Sequence, residues 1–201
     1  MSTHAIPPEE VVSTADGRVI LHGVTWEGWL AQLQLRGDKS APRLTYLDGA
    51  MELMSPSKDH ERIKSYLGCL VEAYAMHHGI DLSPYGGWTL QEEVKRAGLE
   101  PDECYIVGLD QELDLPHLAI EVVWTSGGLD KLEAYRRLGV PEVWLSKKAQ
   151  LTVHVLVDEG YEERTHSLAF PKLVPAELLQ FLDRPTATQA IRALLESLRA
   201  R

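Results

Sequence analysis

Glu121 stands in the middle of an otherwise apolar run, His117-Leu-Ala-Ile-Glu-Val-Val-Trp124. A carboxylate there is costly unless it is paired, protonated or bound to a cation. Pairing with an Arg or Lys is one reading; metal binding is the other. Asp102, nineteen residues earlier, follows Pro101 at the start of a second short apolar run, Cys104 to Val107. If the two runs are neighbouring strands, the two anions repel unless a cation lies between them or one takes up a proton. A hard divalent cation such as Mg²⁺ accepts such an all-oxygen set and keeps several waters for chemistry. Taken alone, Asp102 reads equally as a turn residue after proline.

Lys131 lies just beyond, across the short link Thr125-Ser-Gly-Gly128. An ammonium beside two metal-bound carboxylates can orient or help deprotonate a water, and can offset charge on a phosphorane-like transition state. By itself it reads as an exposed helix lysine. Glu61 and His60 are auxiliary candidates: a third carboxylate acting through water, and a substrate contact or base. Both also read as solvated residues at a helix N-terminus, where the dipole favours acids.

These groups need elements to hold them. Thr25 predicts the N-cap of a helix carrying Trp26, Trp29, Leu30 and Leu33, broken at Arg36-Gly-Asp-Lys-Ser40. Arg43 to Leu47 and Met51 to Met54 read as strands joined at Asp48-Gly49, a hairpin-turn pair. Ser55-Pro56-Ser57 opens the longest helix, closed by Gly79. One or two strands are expected at 81–94, a strand at 104–107, and a buried central strand at 117–124. On that last strand His117, Ala119, Glu121 and Val123 share a face. A helix follows at 129–138, then a strand at 142–145 and a hairpin, 150–157 with 161–165. Helices near 175–182 and 186–199 finish the chain. The expected fold class is α/β: a mixed sheet flanked by helices, with residues 1–24 an N-terminal arm ending in a short strand at 18–21, and 25–201 a single domain.

Bulk properties narrow the function. The 201 residues are 44% hydrophobic, enough for one well-buried core. No basic, apolar leader opens the chain and no apolar run approaches bilayer length, which leads us to expect a cytoplasmic protein with no membrane partner. Cys69 and Cys104 form neither a disulfide framework nor a CxxC site. The formal net charge of −10 argues against a tight, nonspecific nucleic-acid binder. A nucleic-acid substrate therefore needs a local basic patch or a divalent cation, and Arg136, Arg137, Lys147 and Lys148 are candidates for the patch. Gly127-Gly128 lacks the spacing of a dinucleotide or Walker loop and reads as a tight strand-to-helix turn. His77-His78 has no matching ligands at metal spacing and reads as surface.

The order strand Asp, strand Glu, then Lys resembles the PD-(D/E)XK restriction-endonuclease-like superfamily. More narrowly, the chain resembles a large bacterial endonuclease family long labelled a domain of unknown function. The pieces that carry the resemblance are Leu44-Thr-Tyr-Leu-Asp-Gly49, Met54-Ser-Pro-Ser57 with His60-Glu61, Glu100-Pro-Asp102, Ala119-Ile-Glu-Val122, Thr125 to Tyr135, and Gly139 to Trp144. It implies a restriction-endonuclease-like fold, Mg²⁺ or Mn²⁺ held by Asp102 and Glu121, Lys131 positioning water, and phosphodiester hydrolysis on DNA. Three positions depart from the pattern. The usual lysine site, two residues after the Glu, is Val123, so Lys131 would be a migrated lysine. The chain has Pro116-His117 where the branch often has Pro-Asp, so the 114–117 segment is a rival source for the first acidic ligand. Thr45 stands where many relatives carry Glu, so no catalytic role is assigned there. Two other readings stand beside the nuclease: a noncatalytic binding or assembly module on the same fold, such as a homodimer, and a hydrolase of another phosphodiester.

Overall fold

The computed structural model describes residues 15–200; most of the segment expected to be an N-terminal arm, residues 1–14, lies outside the described residues. The described residues form eleven strands and four α-helices, in the order β1 (Gly17–His22), α1 (Trp26–Arg36), β2 (Arg43–Leu47), β3 (Ala50–Ser55), α2 (Lys58–His78), β4 (Leu82–Pro84), β5 (Leu90–Glu92), β6 (Ala97–Leu99), β7 (Glu103–Val107), β8 (Leu118–Val123), α3 (Lys131–Leu138), β9 (Glu142–Lys147), β10 (Gln150–Val157), β11 (Gly160–Arg164) and α4 (Ala187–Arg199). The segment Pro175–Phe181, read from sequence as a helix, is 3₁₀.

The expected helix starts are present in atomic detail. Thr25 accepts from the Gly28 N–H, Ser57 from His60 and Asp130 from Glu133, each satisfying a donor that the first helical turn leaves open. Asp48 and Gly49 both have positive φ, 49° and 85°, which matches the twist a two-residue hairpin turn needs between β2 and β3.

The strands divide between two sheets. The first is antiparallel, in the order β1-β3-β2-β6-β5; the second is mixed, in the order β11-β10-β9-β8-β7-β4. Within the second sheet β8 and β9 run parallel, joined through α3, and β7 lies antiparallel to β8. Leu118, Ile120 and Val122 of β8 pack with α2, α4, Trp144 and Phe170. Ala119, on the opposite face, packs with Ala134, Tyr135 and Leu138 of α3 and with Leu99 of the first sheet. Glu121 shares the face of Ala119, so its side chain points into the space between the layers, where α3 meets the first sheet.

Candidate active site

The register of β7 against β8 pairs Glu103 with Ile120 and Cys104 with Ala119. Carrying it one residue further sets Asp102 opposite Glu121, at the point where β7 has not yet begun. Both side chains are buried, at 1% relative exposure. Asp102 takes over the hydrogen bond that the missing strand residue would make: its Oδ2 accepts from the Val122 N–H at 2.6 Å. Its Oδ1 accepts from Arg43 Nη1. Arg43 comes from β2 of the other sheet, and its Nη2 reaches Glu61 Oε1 at 3.0 Å. His60, in the first turn of α2, approaches the same carboxylate, with Nε2 3.0 Å from Asp102 Oδ2. That short distance lacks hydrogen-bond geometry, so the buried Nε2 has no hydrogen-bond partner among the described residues.

The other ring nitrogen of His60, Nδ1, lies 3.2 Å from Asp16 Oδ2. Burial holds His60 below the ordinary imidazole range, against the opposing pull of the Asp16 carboxylate. Asp16 also accepts from the Ser57 N–H at 2.8 Å and from Thr125 Oγ1 at 3.0 Å. Burial would raise its carboxyl, but these donors and His60 together hold it below the ordinary carboxylate range.

Glu121 is fixed by α3. Lys131 is the first residue of that helix, and Tyr135 lies one turn later on the same face. Lys131 Nζ stands 2.6 Å from Glu121 Oε2, and Tyr135 Oη donates to Oε1 at 2.5 Å. Burial and the Glu121 charge push the Tyr135 phenol well above its ordinary range, so it stays a donor. The cation-pair reading of Glu121 is thus met by Lys131, the same residue that the resemblance groups with it.

A second carboxylate shares the cleft with Glu121. Glu52, on β3, is 1% exposed; its Oε2 accepts from the Leu129 N–H at 2.8 Å, and Arg18 Nε lies 3.1 Å from Oε1. The Gly-Gly link serves this contact. A Cβ on Gly128 would stand 2.6 Å from Glu52 Oε2, so only glycine lets the carboxylate reach the next backbone N–H. Arg18, Glu52, Glu121, Lys131 and Lys147 line a cavity of about 230 Å³ here. Asp102 borders a different cavity, about 360 Å³, with Arg36, Lys39, Arg43 and Lys64 on its walls.

Asp102, Glu121, Lys131 and His60 are thus brought together, and Glu61 joins them only through Arg43. The rival 114–117 segment lies at the opposite end of β8: His117 accepts from the Val107 N–H there, four residues and about 13 Å of strand from Glu121. Arg136 and Arg137 do not form a free basic patch, because both bond Glu133 and Arg137 also bonds Asp48. Lys147 does face the cleft. Sequence reasoning missed Arg43, Tyr135, Asp16, Arg18 and Glu52. A usable signal existed for Glu52, which interrupts the apolar strand Met51-Glu-Leu-Met54 much as Glu121 interrupts its own. Glu52 also pairs in register with Thr45, the position where an acidic residue was looked for.

Among the described residues, no three His, Cys, Asp or Glu side chains converge closely enough to cage an ion by themselves. Asp102 and Glu121 nonetheless fit a hard divalent cation in type, since such ions use one or two carboxylates and complete their shell with water. Arg43 occupies Asp102 Oδ1 and also bonds Glu61 Oε1, so it has a second carboxylate partner beside the first.

The family described as Uma2, putative restriction endonuclease, matches residues 29–186, which span β2 through the 3₁₀ segment and include Asp102, Glu121 and Lys131. The chain belongs to this family. Membership bears out the restriction-endonuclease-like resemblance and the mixed α/β architecture. A nuclease of the superfamily acts on nucleic acid, and its relatives generally use divalent metals. Among solved structures, the chain is similar to one described as a putative nuclease belonging to DUF820 from Anabaena variabilis ATCC 29413. The two share 14% identity and a TM-score of 0.46, over 80% of this chain and 96% of that one. No curated protein matches the chain. No helix among the described residues is long and apolar enough to cross a membrane.

Proposed function

We propose that this Uma2-family chain is a metal-dependent endonuclease that hydrolyses phosphodiester bonds of DNA. In this reading Asp102 and Glu121 bind Mg²⁺ or Mn²⁺, and Lys131 positions the attacking water. The observation that carries the proposal is a pair of buried carboxylates on neighbouring strands in opposed register, one of them 2.6 Å from a lysine ammonium. The bound ion supplies charge neutralisation at the scissile phosphate and a water of lowered pKa. The protein's own groups do the rest. The Val122 N–H fixes Asp102, and Tyr135 with Lys131 fixes both oxygens of Glu121, so little reorganisation remains for the reacting state. Lys131 would hold the water, which gives up a proton to solvent as its oxygen bonds to phosphorus; the P–O bond to the leaving oxygen breaks, and that oxygen takes a proton from solvent.

A plasmid-nicking assay with added Mg²⁺ tests the proposal. We expect cleavage by the wild-type chain and a fall of at least about 100-fold for Glu121→Ala, the scale of losing one charge-stabilising group. Equal cleavage by the two proteins removes the assignment. One observation favours a second reading, a noncatalytic binding or assembly module: Arg43 and Lys131 already compensate Asp102 and Glu121 internally. Calorimetric titration separates the two readings, since this second one expects no heat and no thermal stabilisation with either Mg²⁺ or Mn²⁺.

A further inference from the structure

Strand β1 and Asp16 just ahead of it lie before the family match begins at residue 29, yet they reach β3, the start of α2 and the link that follows β8. Arg18 Nη1 donates to the carbonyls of Thr125 and Ser126, at 3.0 and 3.2 Å, while its Nε sits against Glu52. Asp16 ties three points together: the Ser57 N–H that opens α2, the His60 ring one turn later, and the Thr125 hydroxyl. The Asp16 backbone N–H also donates to Thr125 Oγ1, at 3.1 Å. Glu52 then holds Leu129 from β3. These contacts converge on residues 125–129, the link between Glu121's strand and the helix that starts at Lys131.

We propose that Asp16 and Arg18 are positioning residues: they clasp the 125–129 link onto β3 and α2, and so set Lys131 against Glu121 and His60 against Asp102. The inference rests on the endonuclease reading for its catalytic consequence, while the clasp itself can be tested without activity. The link needs such a restraint. It contains Ser126, Gly127 and Gly128, residues with little side chain to pack, and Gly127 has φ of 101°. An untethered Gly-Gly turn samples many conformations. Lys131 follows it directly, so the angle at which α3 leaves the sheet decides where the ammonium falls. Arg18 donates from one nitrogen, Nη1, to two adjacent carbonyls of the link while its Nε faces Glu52, so a single guanidinium joins the link to β3. Asp16 couples this link to α2, so the Lys131 and His60 sides of the site are held from one strand.

Arg18→Gln and Thr125→Val test the clasp. The first removes the charge facing Glu52 and the Nη1 bonds to the carbonyls; the second removes only a hydroxyl and keeps every charge. Two readouts are needed. In hydrogen exchange, peptides spanning 123–131 should exchange at least about tenfold faster in Arg18→Gln, and by less in Thr125→Val, with β9 and β10 unchanged. In nicking kinetics, kcat should fall about tenfold for Arg18→Gln, or ~1.4 kcal/mol in barrier, with KM within twofold. Arg18→Lys, which keeps the charge but has one nitrogen where Arg18 uses Nη1 for the carbonyls and Nε for Glu52, should recover only part of it. Uniformly faster exchange across the sheets, or unchanged kcat alongside a lowered melting temperature, overturns the proposal by showing a merely stabilising role. If the wild-type chain cleaves nothing, the endonuclease reading falls, and local exchange at 123–131 still decides the clasp.

Discussion

Tyr135 is the residue on which the state of Glu121 depends most directly. Its hydroxyl is buried and points at Oε1, while Lys131 covers Oε2. Replacing it with Phe keeps the ring and its packing against Ala119 and Leu138 but leaves Glu121 with one donor fewer. A hydrogen bond to a buried charged group contributes about 1.5–3 kcal/mol. Tyr135→Phe should therefore lower unfolding free energy by about that amount in a urea titration. In the endonuclease reading kcat should also fall about tenfold, because the carboxylate is freer to rotate. Wild-type kcat in Tyr135→Phe would mean that Glu121 needs no such orientation. The same reasoning shows why Tyr135 was hidden in the sequence. It sits at a helical spacing that reads simply as core, and its role appears only once Glu121 is seen below it.

Elements carry their own pH dependence. On β10, His154 faces Glu163 of β11 in register and approaches Thr152 Oγ1 at 3.0 Å; the Tyr161 ring lies beside it. Burial holds its imidazole below the ordinary value of 6.5, and Glu163 offsets this only in part. A base with a depressed folded pKa binds its proton more readily when unfolded, so its contribution is full above about pH 6.5 and is lost as pH falls below it. Urea midpoints for wild type should thus drop between pH 7.5 and 5.5 by more than those of His154→Gln; identical drops would clear this residue. The legibility of elements follows a related divide. The hairpin at 43–54, the long helix and the strand at 117–124 were readable because turn residues, caps and apolar periodicity are local. The three-residue strand β6 was not, since Ala97-Gly-Leu99 has too little pattern to stand apart, and its strand identity comes from pairing with Thr45 to Leu47. The division into two sheets rests on that same long-range pairing. Glu121 was legible because a charge in an apolar strand needs an explanation wherever it occurs, whereas Asp102 and Lys131 entered only through their order around it. Asp16 and Arg18 were not legible: their partners lie up to 109 residues away, and nothing in their own neighbourhood announces them.

At the scale of the whole molecule, the net charge of −10 and a nucleic-acid substrate pull against each other. Acidic surface repels phosphate at long range, and salt screens that repulsion as it screens attraction. The cavity beside Asp102 supplies a local answer. Arg36, Lys39, Arg43 and Lys64 line it, but Arg36 bonds Glu100, Arg43 bonds Asp102 and Glu61, and Lys64 bonds Glu61. Lys39, in the exposed link after α1, is the cation there best placed to meet a backbone phosphate without first breaking a carboxylate bond. Each phosphate contact on duplex DNA contributes about 0.9 to the slope of log affinity against log salt. Binding is best measured by fluorescence anisotropy on the Glu121→Gln chain, which should hold its substrate uncut. In that background Lys39→Gln should lower the slope by about 0.9 and weaken binding at low salt. Arg164→Gln, on the exposed end of β11, should change neither. Equal slopes with and without Lys39 would place the phosphate track on the Lys147 side of the site, along the cleft that Glu121 and Lys131 share.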